Sequence, residues 1–253
     1  MIEVSNLSYS AGQAQILRDI SLTIPQGGIT AIIGPNGAGK SSLLHCIAGL
    51  LTPSGGQMRI DGLDPFDAPH RDRARAVALL QQTPRIATRL RVRELVAFGR
   101  WPHHGGRPGP EDTRLTEEAL ATFDLTPLAE RSLDTLSGGQ RQRALVAMTW
   151  AQSAPWLLLD EPLNALDPKY ARDLMERLHD LTRPAPEQRS VVVVIHDINA
   201  AAGWADHVIA LKDGKIGATG PCNDIMTPAT LHAVFGMPFD VIDHNQRPVV
   251  VAW

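Results

Sequence analysis

Residues 34–41, Gly34-Pro35-Asn36-Gly37-Ala38-Gly39-Lys40-Ser41, carry three glycines, a lysine and a hydroxyl in the spacing G-x-x-x-x-G-K-[ST]. That spacing suits a triphosphate. The glycines let the backbone curl until successive N–H groups face phosphate oxygens. A helix opening directly behind the loop adds the positive end of its dipole. Lys40 then supplies a point charge for the β- and γ-phosphates, and Ser41, with Ser42 beside it, a hydroxyl for Mg²⁺. A second segment, Trp156-Leu157-Leu158-Leu159-Asp160-Glu161, is an apolar run that ends in two acids. Asp160 is placed to hold Mg²⁺ through water, and Glu161 to act as general base on an attacking water. Together the two segments point to nucleoside triphosphate binding, with the identity of the nucleotide left open.

Each segment needs a buried strand behind it. Ile29–Ile33 is an almost continuous apolar run, which reads as a parallel strand covered on both faces. A helix follows from Lys40 to about Leu50, closed by Gly49 and the turn Thr52–Gly56. The strand before and the helix after give residues 34–41 the context of a P-loop. Trp156–Leu159 and Val191–Ile195 are two more buried strands, and the helix from about Pro168 to Leu181 between them makes a parallel βαβ unit. Upstream, Ile2–Tyr9 reads as an edge or half-buried strand, paired antiparallel with Ile16–Ile24 through a turn near Ala11-Gly12-Gln13. Gln57–Ile60 is a short strand, Arg71–Arg75 a helix with a solvated charged face, and Val77–Leu80 another strand. From Thr83 to about Thr149 helical periodicity dominates, in Val92–Phe98, Glu111–Phe123 and Arg141–Trp150. Residues 83–150 are therefore expected to form an inserted helical subdomain, and Gly214–Trp253 a short α/β tail of a single domain spanning 1–253.

The chain has 253 residues, a formal charge of −3 and 43% hydrophobic residues, enough for a full core. The balanced charge speaks against a nucleic-acid partner, which asks for a basic excess. The two cysteines, Cys46 and Cys222, make no disulfide framework and fit a reducing compartment, with Cys46 expected in the core. No run reaches the ~18 apolar residues of a membrane span, and the first residues, Met1-Ile2-Glu3-Val4-Ser5, lack the pattern of a signal peptide. A soluble, unexported protein is the expectation. His70, His103 and His104 lack partners at metal-ligand spacing.

Leu136-Ser137-Gly138-Gly139-Gln140, followed by Arg141-Gln142-Arg143, resembles the signature motif of the ATP-binding cassette (ABC) ATPases. Ser137 would cap the helix that starts there, and the two glycines would expose N–H groups to phosphate. The rest of the family's pattern has matches along the chain. Tyr9 sits where the family stacks an aromatic ring on adenine. Gln82 looks like the glutamine that bridges Mg²⁺ and the transport machinery. Asn164-Ala165-Leu166-Asp167 resembles the loop that communicates across the dimer, with Asp167 its acid, and His196 the switch histidine at the γ-phosphate. The resemblance implies an α/β fold with a P-loop NTPase core and mostly parallel sheet, an N-terminal antiparallel β subdomain and an inserted helical subdomain. It further implies ATP and Mg²⁺ as ligands and a head-to-tail homodimer. In that dimer the P-loop, Gln82, Asp160, Glu161 and His196 of one copy face Ser137 and Gly139 of the other.

Finer texture resembles the ATPases of iron–siderophore, haem and vitamin B12 importers. It lies in Ala78–Gln82, Val92–His103, Asp197-Ile198-Asn199 and the tail Gly236–Trp253 with its Pro248–Val251 run. That likeness implies an integral-membrane permease as partner, a periplasmic or surface binding protein acting indirectly, and a peripheral place on the cytoplasmic face of the cell membrane. Iron–siderophore import ranks first. Haem, cobalamin and a soluble non-transport ABC ATPase, such as an iron–sulfur assembly component, stay open. The segment from Gln82 through Arg93, with Ile86 and Leu90, either receives a short helix of the permease or is a solvated loop.

Overall fold

The computed structural model describes all residues except 83–88, 165, 184–187 and 246. In chain order the strands and helices are β1 Ile2–Ala11, β2 Ala14–Ile24, β3 Ile29–Ile33, α1 Lys40–Ile47, β4 Gly55–Ile60, α2 His70–Ala76 and β5 Val77–Leu80. Next come α3 Val92–Phe98, α4 Trp101–His104, α5 Pro110–Thr122, α6 Gly138–Ala151, β6 Trp156–Asp160, α7 Pro168–Leu181 and β7 Ser190–Val194. The chain closes with α8 Ile198–Trp204, β8 His207–Lys212, β9 Lys215–Pro221, α9 Cys222–Ile225, α10 Pro228–Phe235, β10 Phe239–His244 and β11 Arg247–Ala252. Two compact units emerge: Met1–Ala68 with Leu178–Trp253, and Pro69–Arg177.

In the first unit β3 is central. It runs parallel to β7 on one side (Ile32 opposite Val194) and to β8 on the other (Ile33 opposite Ala210), with β9 antiparallel beyond β8. Every residue of β3 and β7 is buried, Thr30, Ala31 and Ser190 as well as the isoleucines and valines, as befits strands covered on both faces. Each of their isoleucines and valines contributes roughly 1.5–3 kcal/mol of burial. A separate antiparallel sheet has the order β2-β1-β4. Of the two readings of β1, edge or half-buried, the second holds: β1 is half-buried, and it is the middle strand, paired along both sides, because β4 returns to it at Ile2–Ile60. Ile2 and Val4 alternate with exposed neighbours, and a register shift between Val4 and Leu7 lets Leu7 be buried as well. The C-terminal stretch adds α9, α10 and the hairpin β10–β11.

In the second unit β5 and β6 pair in parallel, Leu80 opposite Leu159, and all five residues of β6 are buried. The helices α3 to α6 lie between Val92 and Ala151. An internal ion pair ties them together: Arg100, 6% exposed at its side chain, bonds Asp112 at 3.1 Å, the Ala151 carbonyl at 2.9 Å and Ser153 at 2.8 Å. The helix α2 keeps no residue buried, yet its arginines are more than a solvated face. Arg71 donates to the Pro102 and His103 carbonyls at 3.0 and 2.9 Å, satisfying the C-terminal carbonyls of α4. Among the described residues no helix is long and apolar enough to cross a membrane.

Candidate nucleotide-binding and catalytic site

The P-loop connects β3 to α1 in the first unit. Gly34 has φ 144° and lies so close to β8 that a Cβ there would meet the Leu211 carbonyl oxygen at 2.1 Å. Gly39, at φ 96°, is pressed against Leu17 and the Ile16 carbonyl of β2. Only glycine fits both places. Leu17 is also the cross-strand partner of Tyr9, so the half-buried tyrosine stands one strand away from the loop's end. Ala38 donates to the Pro35 carbonyl at 3.2 Å, closing the turn, and its own carbonyl accepts from Gly214 of the β8–β9 turn. Pro35 is half-buried and Asn36 and Gly37 form the exposed tip.

Lys40 is 5% exposed and its ammonium donates to the carbonyls of Gly34 and Pro35 at 2.8 and 3.0 Å. The cation thus sits within the ring of its own loop, where a polyanion would compete for it. The first turn of α1 holds no acidic side chain, and Ser41 and Ser42 stand half-buried there. Its N–H groups and dipole favour an anion at that end. His196 reaches the same end of the sheet by register: Ile195 donates to the Ile32 carbonyl at 3.2 Å, and His196 follows it, exposed.

The second unit holds the acids. Asp160, 1% exposed, is the last residue of β6. Glu161 has φ 52°, a left-handed backbone that non-glycine residues rarely adopt and that clusters at functional sites. Its Oε2 accepts from the Gln82 amide, two residues past the end of β5, and from the Asn164 amide. Asn164 also donates its backbone N–H to the Glu161 carbonyl at 3.2 Å, with Pro162 at the second position of the turn. Asn164, part of the stretch that resembles the dimer-communicating loop, thus also reaches the acid, and its signal in the sequence is an amide three residues after Glu161 across a proline turn. Ser137 caps α6, accepting from Gln140 N–H at 3.2 Å, while the Gln140 side chain accepts from Ser137 N–H at 3.1 Å. The Gln140 amide is thereby a partner of the cap. Gly138 and Gly139 open the helix, and Gly139 lies against Leu166 and Tyr170, where a Cβ would meet Leu166 Cδ2 at 3.3 Å. Asp167 caps the start of α7 through Tyr170 N–H at 3.1 Å. Two clusters result in this unit: Gln82–Glu161–Asn164, and the Ser137 turn with Leu166 and Tyr170.

Ser41 in the first unit offers a hydroxyl oxygen, and Gln82 and Asp160 in the second offer amide and carboxylate oxygens, each of the donor type that Mg²⁺ takes. Residues 83–88, including Ile86, lie outside the described residues.

Fold and motif together define a P-loop ATPase cassette. The family model described as ABC transporter matches residues 17–164, and the chain belongs to that family. It is 39% identical to the petrobactin import ATP-binding protein YclP of Bacillus subtilis, over 98% of both chains. It is 40% identical to the hemin import ATP-binding protein HmuV of Pseudomonas entomophila, over 99% of both. With the ferric enterobactin transport ATP-binding protein FepC of Escherichia coli it shares 39% over 94% of this chain and 88% of the relative. Among solved structures, an ABC transporter assigned to the metal-chelate type, in an inward-facing conformation, superposes with TM-score 0.84 at 26% identity, covering 100% of this chain and 97% of the other. A dimeric ATP-binding cassette in a post-hydrolysis state with ADP and Pi gives 0.78 at 30% identity, covering 88% and 99%.

Proposed function

We propose that this chain is the ATP-hydrolysing subunit of an importer for iron chelates, with a siderophore as cargo. The observation that carries this is its near-complete alignment, at 39–40% identity, with import ATP-binding proteins for petrobactin and hemin. Haem is the second reading, favoured by the hemin relative.

In this reading two copies close on two ATP molecules beneath an integral-membrane permease, served by a periplasmic or surface binding protein, at the cytoplasmic face of the membrane. Lys40 and the loop N–H groups of residues 34–41 hold the phosphates, and Tyr9 lies against adenine. Ser41, Asp160 and Gln82 would hold Mg²⁺, which would supply positive charge against the phosphates. Glu161, oriented by Gln82 and Asn164, takes the proton of the attacking water, and His196 contacts the γ-phosphate. The helices between Val92 and Ala151 carry Ser137, Gly138 and Gly139 to the neighbouring copy's ATP, and Asp167 faces the dimer seam. The residues 214–253 form a tail to the single ATPase domain. Hydrolysis needs positioning and charge more than covalent chemistry, so donors from a second chain can gate it.

Growth on one iron source at a time tests the cargo. A deletion strain should lose growth on a ferric siderophore and regain it with the intact gene but not with Lys40→Ala. Loss on haem alone makes haem the cargo. Undiminished growth on both, with soluble proteins co-purifying instead of a permease, overturns the transport reading.

A further inference from the structure

The tail of the chain meets the helix behind His196 in an unusual way. Asn199, on the first turn of α8, donates its side-chain amide to the Val250 carbonyl at 2.9 Å and accepts the Val250 N–H at 2.7 Å. One amide side chain thus matches one residue's main chain, as a neighbouring strand would. Val250 lies opposite Val241 of β10. Its N–H and carbonyl point away from that partner, as in a non-hydrogen-bonded antiparallel pair, and Asn199 satisfies them on the outer edge of β11. A second grip holds the far end of α8. Arg247 donates to the Gly203 carbonyl at 2.6 Å, and its guanidinium lies 5.5 Å from the centre of the Trp204 ring.

The helix between these grips is short, Ile198–Trp204, with Ala201 and Ala202 buried. Its N-cap is Asp197, whose Oδ1 accepts from Asn199 N–H at 2.9 Å and Ala200 N–H at 3.3 Å. Asn199 is therefore bonded twice over, by its backbone to the cap and by its side chain to β11. His196 is the residue directly before that cap. A shift of the first turn of α8 would therefore reach the backbone of His196 through Ile198 and the Asp197 cap.

We propose that Asn199 is a positioning residue for ATP hydrolysis: it locks α8 to the C-terminal hairpin and thereby fixes His196. Two features 51 residues apart, the Asp197-Ile198-Asn199 run and the Pro248–Val251 tail, are in this way one device. The inference rests on the reading of His196 as a γ-phosphate contact.

The purified chain tests it through steady-state and single-turnover hydrolysis of Mg-ATP. Misplacing a reacting group by about 1 Å can cost roughly a hundredfold in rate. Asn199→Ala should lower kcat about tenfold or more and leave the KM for ATP within about twofold. In a His196→Ala background the same substitution should change the residual single-turnover rate by less than about twofold, since the group it positions is gone. Arg247→Met, which keeps the stem, should give a smaller loss of the same kind, and it decides the matter if Asn199→Ala fails to fold. Wild-type kcat in both variants, or a loss that multiplies with His196→Ala, overturns the inference. Wild-type kcat in His196→Ala by itself would instead overturn the role of His196, and the inference with it.

Discussion

Lys40 shows how a single residue can be both structural and chemical. Its ammonium is buried against the carbonyls of Gly34 and Pro35, so the loop is organised around a cation. Lys40→Ala should reduce ATP affinity by at least about tenfold, the scale of a lost charge-assisted hydrogen bond, in an equilibrium titration. Unchanged affinity would remove Lys40 from the phosphate site. The cysteines give a prediction of a different sort. Burial pushes the Cys46 thiol up from 9.0 to about 12 and Cys222 to about 11, Cys222 also feeling Asp206. Unfolded thiols ionise near the ordinary value while the folded ones stay protonated, so above pH 9 the unfolded state binds fewer protons. Stability should therefore be independent of these thiols' titration below pH 9 and fall as pH rises from 9 through 11 and 12. Urea midpoints measured at increasing pH should drop, and a Cys46→Ala/Cys222→Ala variant should lose that part of the slope.

At the scale of elements, the helices of the second unit depend on a buried charge as well as on apolar faces. Arg100 ties the start of α4 to Asp112 on α5 and to the end of α6 at Ala151. Removing one member of a buried pair leaves the other charge unmatched, and Arg100→Ala should cost about 3–5 kcal/mol. A shift in the denaturant midpoint with an unchanged slope would show it; a loss under about 1 kcal/mol would mean that Asp112 finds water. Strands and helices up to β7 were largely legible in the sequence, α3 and α7 falling at Val92–Phe98 and Pro168–Leu181 as the periodicity predicts, whereas α4, α8 and β8 were not. The helix α1 stops at Ile47, earlier than Leu50, because the Gly49 backbone is left-handed and its N–H returns to Cys46.

For the whole molecule, the proposed dimer makes two demands. Glu161→Gln should keep ATP binding, lose steady-state turnover by at least about a hundredfold and accumulate an ATP-bound dimer in size-exclusion chromatography. A wild-type rate in that variant would mean that Glu161 is not the base. Ser137→Arg should bind ATP as a monomer and fail to dimerise. Because Ser137 also caps α6, its stability should fall by about 1 kcal/mol, which a melting curve separates from the loss of the dimer. An ATP-dependent dimer of Ser137→Arg would contradict the shared site.

The sequence by itself determined the P-loop, the acid pair at the end of β6, most strands and helices before residue 195 and the family, because each is written in local spacing or in a largely apolar run. The tertiary structure alone decided that β1 lies in the middle of its sheet, that Arg71 closes the end of α4, that Asn164 turns back onto Glu161, and that Asn199 takes the place of a strand beside Val250. Those are bonds between side chains and distant main-chain groups, or pairings chosen among several strands of equal character. Periodicity carries no record of them, since the same alternation of apolar and polar residues is compatible with every such partner.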